Sequence, residues 1–161
     1  MVSRIEEAIQ KNLCSSSLTG KFPESLRSAI EYSVFPGGAR IRPTILISVA
    51  KACGDDMPEI TDAAASALEM IHCASLVHDD LPCFDNGDTR RGKPTVHKAY
   101  GENTAVLAGD SLIINAFNCL ASVSKYSHTR CANLTLFLSK YAGFPNGICA
   151  GQGWELSLIH I

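Results

Sequence analysis

The sequence predicts an all-α fold, and three observations carry that prediction. Apolar side chains recur at spacings of three and four along most of the chain, as one face of a helix requires. No stretch alternates apolar and polar residues for long enough to form a strand buried on one face. Glycine and proline punctuate the joints between the periodic segments.

Taken in order, the periodicity predicts helices over 3–13, 23–34, 42–53, 62–80, 104–123 and 131–142. The second carries Leu26, Ala29, Ile30 and Val34 on one face; the fourth carries Leu68, Ile71 and Leu76. Between the first two, Ser15 to Ser17 with Thr19 and Gly20 read as an interhelix loop. Later breaks fall at Pro36-Gly37-Gly38, Gly54-Asp55-Asp56, Pro82, and Gly143 to Gly147. There are no internal repeats and no low-complexity linker.

With 161 residues, 46% of them hydrophobic, the chain can bury one core of ordinary size, so one domain or part of one is expected. A net charge of −2 argues against nucleic acid as a partner, because phosphate-backbone affinity needs a clear cationic excess. The opening MVSRIEEAIQK lacks the cationic end and apolar core of a signal peptide. Asp110 interrupts the longest apolar candidate, so no membrane span is expected. The seven cysteines are scattered without a CxxC pair, which suits reduced thiols in a cytoplasmic protein.

The chemistry gathers in VHDDLPCFDNGDTRRGKP, residues 77–94, with four acids, two arginines and a lysine. His72 and Asp79 are two helical turns apart and share a face. Pro82 disfavours helix at Leu81, which frees the following segment to bring Asp85 back beside Asp79 and Asp80. Carboxylates arranged so around a helix end suit Mg²⁺, which takes one or two carboxylates together with phosphate oxygens. Arg90 and Arg91 offer planar donor forks, and diverging neighbours can serve two phosphate groups. FPGGARIRP adds Arg40 and Arg42 after paired glycines that permit close backbone approach. A merely solvated Asp pair at a helix C-terminus would oppose the macrodipole, so the pair needs another reason to be there. His78-Asp79 also fits the HD metal-dependent phosphohydrolases, but that reading explains neither the arginine pair nor GGxRxRP.

At these residues the sequence resembles the trans-isoprenyl diphosphate synthases. HDDLPCFD matches the first aspartate-rich motif of that family, RRGKP its following arginine motif, and GGARIRP its GGKRxRP; LAGDSLI and GICAGQGWE match further segments. The likeness runs from about residue 22 to Glu155 and is greatest to bacterial geranylgeranyl diphosphate synthases of carotenoid pathways.

The resemblance implies an isoprenoid-synthase-type helical bundle, of which residues 1–155 would be the N-terminal part. It also implies a reaction in which an allylic diphosphate ionises and isopentenyl diphosphate adds five carbons. Asp79, Asp80 and Asp85 would hold Mg²⁺ on the allylic diphosphate and Arg90 would contact that group. Arg42, His72 and Arg91 would bind isopentenyl diphosphate, and Gln152 would lie near the reacting centre. Ala74, five residues before Asp79, and its neighbour Ser75 stand where shorter-product enzymes carry an aromatic ring, so the C20 product is expected over C15. A homodimer is the family's usual state. Two alternatives share parts of this logic, a non-catalytic subunit of a heteromeric synthase and a class I terpene cyclase; a cyclase would need no second diphosphate site.

Three departures from the family pattern stand out. Ala39 replaces a lysine, with Arg40 beside it as a partial substitute. Glu155 replaces an aspartate. The family's second aspartate-rich motif has no counterpart, so the 161 residues alone are expected not to turn over. The last six residues, LSLIHI at 156–161, match the translation of CTG TCT CTT ATA CAC ATC, the end sequence of transposon-based sequencing adaptors, and are expected to be non-native.

Overall fold

The structure, a computed structural model, describes residues 2–14 and 23–158. The expected serine loop at 15–17 and the final residues 159–161 lie outside them. Eight helices lie in the described residues: α1 (Val2–Cys14), α2 (Glu24–Val34), α3 (Ile41–Ala52), α4 (Pro58–Asp79), α5 (Val96–Tyr100), α6 (Glu102–Ser122), α7 (His128–Ala142) and α8 (Ile148–Leu158). The six expected helices are present, with α4 four residues longer at its start because Pro58 takes the first helical position, where its missing N–H costs nothing.

Helix α4 is the hub. Twelve of its twenty-two residues are buried, and Ala63, Ala64, Ala65, Ala67 and Ala74 among them make a face smooth enough for close helix contact. Helix α6 packs antiparallel along that face. Met70 meets Cys119 at 3.9 Å near one end, while the His78 ring lies against Val106 and Asp110 near the other. Gly109 makes the second contact possible, because a methyl group there would collide with the His78 ring. We therefore expect Gly109→Ala to lower unfolding free energy by roughly 1–3 kcal/mol through overpacking, measurable as a lower urea midpoint. Around this pair Ile5 and Ile9 of α1, Val34 of α2 and Ile47 of α3 complete the core.

The structure corrects the expectation about membrane-length segments. Helices α4 and α6 are both long and apolar enough to cross a membrane by length and composition; 67% and 39% of those stretches are buried inside the fold. One aspartate among many apolar residues does not disqualify α6. The α4 stretch is mostly buried in the core, whereas much of the α6 stretch lies outside it. Among the described residues six cysteines are free. Burial pushes the Cys73 and Cys119 thiols up to about 11, so both stay protonated and inert.

Three features lie outside the sequence expectation: a hairpin and the helices α5 and α8. Strands β1 (Thr89–Arg90) and β2 (Lys93–Pro94) form a minimal hairpin, Thr89 opposite Pro94 and Arg90 opposite Lys93. The two turn residues, Arg91 and Gly92, both take positive φ (55° and 77°), as a tight primed hairpin turn demands. Helix α8 forms despite Gly151 and Gly153, in a segment where the sequence predicted none.

Candidate functional site

Helix α4 ends at Asp79, and the chain coils back on that end. The Asp85 amide donates to the Asp79 carbonyl at 2.9 Å, and the Gly87 amide to the Asp80 carbonyl at 3.1 Å. The segment after Pro82 thus returns Asp85 towards Asp79. Gly87 closes the coil tightly, since a Cβ there would stand 2.8 Å from Asp80 Oδ1.

The three aspartates are nevertheless not equivalent. Asp80 is buried and takes both arms of Arg90, Nε to Oδ2 at 2.7 Å and Nη2 to Oδ1 at 2.8 Å. Asp79 stays half-buried, with Arg90 at 3.7 Å and the Gln152 amide donating to Oδ1 at 3.3 Å. Burial, then the charges of Asp85, Asp80 and Glu155, push the Asp79 carboxyl above the usual carboxylate range, with only Arg90 opposing. Among the described residues no three His, Cys, Asp or Glu side chains gather at metal-binding distance, Asp80 being engaged by Arg90. The site around Asp79 is short of positive charge, and its donors are hard carboxylate and amide oxygens. That chemistry suits a hard divalent cation such as Mg²⁺.

The hairpin sends its arginines apart. Arg90 faces the acids, whereas the Arg91 guanidinium lies over Gly38, where a Cβ would be 3.1 Å away. Gly38 thus admits Arg91 beside the turn that leads into α3 and Arg42. Arg42 Nη1 donates to His72 Nε2 at 3.3 Å. Burial and then the Arg42 charge hold the His72 imidazole below its ordinary value, which keeps it neutral and able to accept. Lys93 braces this side from beneath, donating to the Tyr32 and Phe35 carbonyls at 2.7 and 2.8 Å.

Arg40 departs from the sequence reading. Its side chain is 1% exposed and paired with Glu69 at 2.7 Å and Glu6 at 2.8 Å, so it offers nothing to an anion and cannot stand in for the lysine missing at Ala39. A left-handed backbone (φ 49°) turns it into the core.

Below Asp79 opens an apolar cleft of about 480 Å³. Ala74 and Ser75 form its α4 wall, Ile113 and Phe117 its α6 wall, and Gln152 stands with Asp79 at the mouth. Sequence reasoning missed Phe84, Ile113 and Phe117 as lining residues; helical spacing marks them only as apolar.

Acids and arginines thus rim an apolar cleft between helices. The polyprenyl synthetase family model matches residues 23–160. The chain belongs to the polyprenyl synthetase family. It is 60% identical over 152 residues to the geranylgeranyl diphosphate synthase of Rhodobacter capsulatus, covering 94% of this chain and 52% of that protein. To the farnesyl diphosphate synthase of Geobacillus stearothermophilus it is 46% identical over 136 residues, 83% of this chain and 45% of that one. The crystal structure of a geranyltransferase from Legionella pneumophila superposes with a TM-score of 0.87 at 37% identity, covering 99% of this chain and 55% of that chain. The chain spans about half the length of the curated relatives it matches.

Proposed function

We propose that this chain is the N-terminal part of a prenyltransferase that condenses isopentenyl diphosphate with an allylic diphosphate, taking farnesyl to geranylgeranyl diphosphate. The observation that carries the reading is the single cleft that joins Asp79 and Gln152 at its mouth to Ala74 and Ser75 along its wall. A diphosphate head at the rim and a hydrocarbon tail in the cleft satisfy both halves of it. The names of the 60% and 61% identical relatives support the C20 product.

Ionisation breaks the C–O bond of the allylic substrate and builds negative charge on the departing diphosphate. Arg90, aligned by its two bonds to Asp80, points donors at that charge and lowers the barrier as it develops. Mg²⁺ held by Asp79, Asp80 and Asp85 would supply further charge neutralisation on the same group. Arg42, His72 and Arg91 form the second anion site, for isopentenyl diphosphate, whose double bond attacks the allylic cation before a proton is lost. Gln152, bonded to Asp79, stands where the two substrates meet. Exposed Val106, Leu107 and Ile114 on α6 provide apolar surface for a homodimer, and free thiols suit a cytoplasmic enzyme.

The cleft wall gives a product-length prediction. Ala74→Phe puts a ring across the cleft little more than one turn below Asp79, so with geranyl diphosphate as starter the main product is expected to shift from C20 to C15. An unchanged C20 product would remove Ala74 from the account. The test of the function itself is prenyl transfer by the complete gene product, given labelled isopentenyl diphosphate, farnesyl diphosphate and Mg²⁺. A labelled C20 alcohol after phosphatase treatment supports the reading; diphosphate binding without elongation favours a non-catalytic subunit or a cyclase. The same reading holds that the 161 residues alone bind diphosphate without turnover and that native sequence gives way to adaptor sequence at about Glu155. A genomic stop codon directly after Ile161 would contradict the latter.

A further inference from the structure

We propose that Arg40 is a positioning residue for the second diphosphate site: locked in the core by Glu69 and Glu6, it sets where Arg42 meets His72 without touching substrate. The inference rests on the prenyltransferase reading above.

Two rungs join the start of α3 to α4. The buried rung is Arg40 to Glu69, Nη1 to Oε1 at 2.7 Å, and the outer rung is Arg42 to His72 at 3.3 Å. Arg40 and Arg42 are two residues apart; Glu69 and His72 are three apart, on successive turns of α4. The outer rung therefore has little freedom once the inner one is fixed. Arg40 is well fixed: Nε donates to Glu6 of α1 at 2.8 Å and Nη2 to the Val34 carbonyl of α2 at 2.9 Å. One guanidinium thus ties α1, α2 and α4 to the first residue before α3. Gly37 is part of the device, because a side chain there would occupy the space of the Arg40 guanidinium. Arg42, by contrast, is exposed at the helix start, with a single bond to hold its direction. A long, exposed side chain aimed at a diphosphate benefits from a rigid base, since placement errors of about 1 Å cost up to roughly 100-fold in rate or binding.

The test is steady-state kinetics of the complete gene product with Glu69→Gln, which keeps the shape but removes the charge of the inner rung. The expected result is a roughly 10-fold or larger rise in KM for isopentenyl diphosphate, with KM for farnesyl diphosphate held within about twofold and kcat little changed. Arg40→Lys keeps the charge but loses the fork, and should fall between wild type and Arg40→Gln. Should Glu69→Gln not fold, Glu6→Gln removes the partly exposed partner and is expected to shift the same KM in the same direction. Equal rises in both KM values, or no rise in either, would overturn the positioning role while leaving the prenyltransferase reading intact. Absence of elongation by the wild type would overturn the prenyltransferase reading, and the inference with it.

Discussion

Asp79→Ala in the complete gene product is expected to lower turnover by at least about 10³-fold, the loss that follows when charge stabilisation at a departing anion is removed. The same substitution should leave the Tm at pH 7 unchanged or higher. The sign follows from the surroundings. Burial and the neighbouring Asp85, Asp80 and Glu155 raise the folded-state value of the Asp79 carboxyl above its unfolded value. A raised carboxyl opposes folding at pH values above its folded-state value, and that penalty fades as pH falls towards the unfolded value. Removing it relieves repulsion in the apo protein while abolishing the work the crowding serves. Differential scanning fluorimetry beside the prenyl-transfer assay checks both halves. A variant that keeps its activity, or one that loses activity only because it has unfolded, contradicts the assignment.

The largest stability effect is expected at Arg40. Arg40→Met strands Glu69, itself 3% exposed, as an uncompensated buried carboxylate. Breaking a buried pair in this way costs about 3–5 kcal/mol, roughly 10 °C in Tm for a chain of this size. Replacing the pair instead of breaking it should behave differently. The double variant Arg40→Met with Glu69→Leu removes both charges, leaves Glu6 partly solvated, and is expected to recover most of the loss. Chemical denaturation of the two single variants and the double closes the cycle. A loss of under about 1 kcal/mol for Arg40→Met would show that the buried rung carries no weight.

What could be read in the sequence follows how local each signal is. The end of α4, the return of the chain after Pro82 and the divergence of Arg90 from Arg91 all arise from residues within twenty positions of one another. Periodicity and proline chemistry suffice for them. Arg40 was misread because GGARIRP displays a charge but not its direction; the partners that draw it inwards, Glu6 and Glu69, lie 34 and 29 positions away. The pairing of Arg90 with Asp80 is likewise illegible in the motif, where the carboxylates look equivalent. Helix α5 and the hairpin were too short for any periodicity to show. Helix α8 runs against its own glycines, and its formation reflects tertiary packing, with Ile148 and Gln152 closing the cleft that α4 and α6 open.

The central claim is that the end of α4 and the hairpin arginines hold a diphosphate together with a divalent cation. Isothermal titration of inorganic pyrophosphate into the complete gene product, with and without Mg²⁺, tests it most directly. The account predicts binding that requires Mg²⁺ and disappears in Asp79→Ala. Equal affinity with and without Mg²⁺, unaffected by loss of Asp79, would mean that the arginines bind the anion alone and would contradict it.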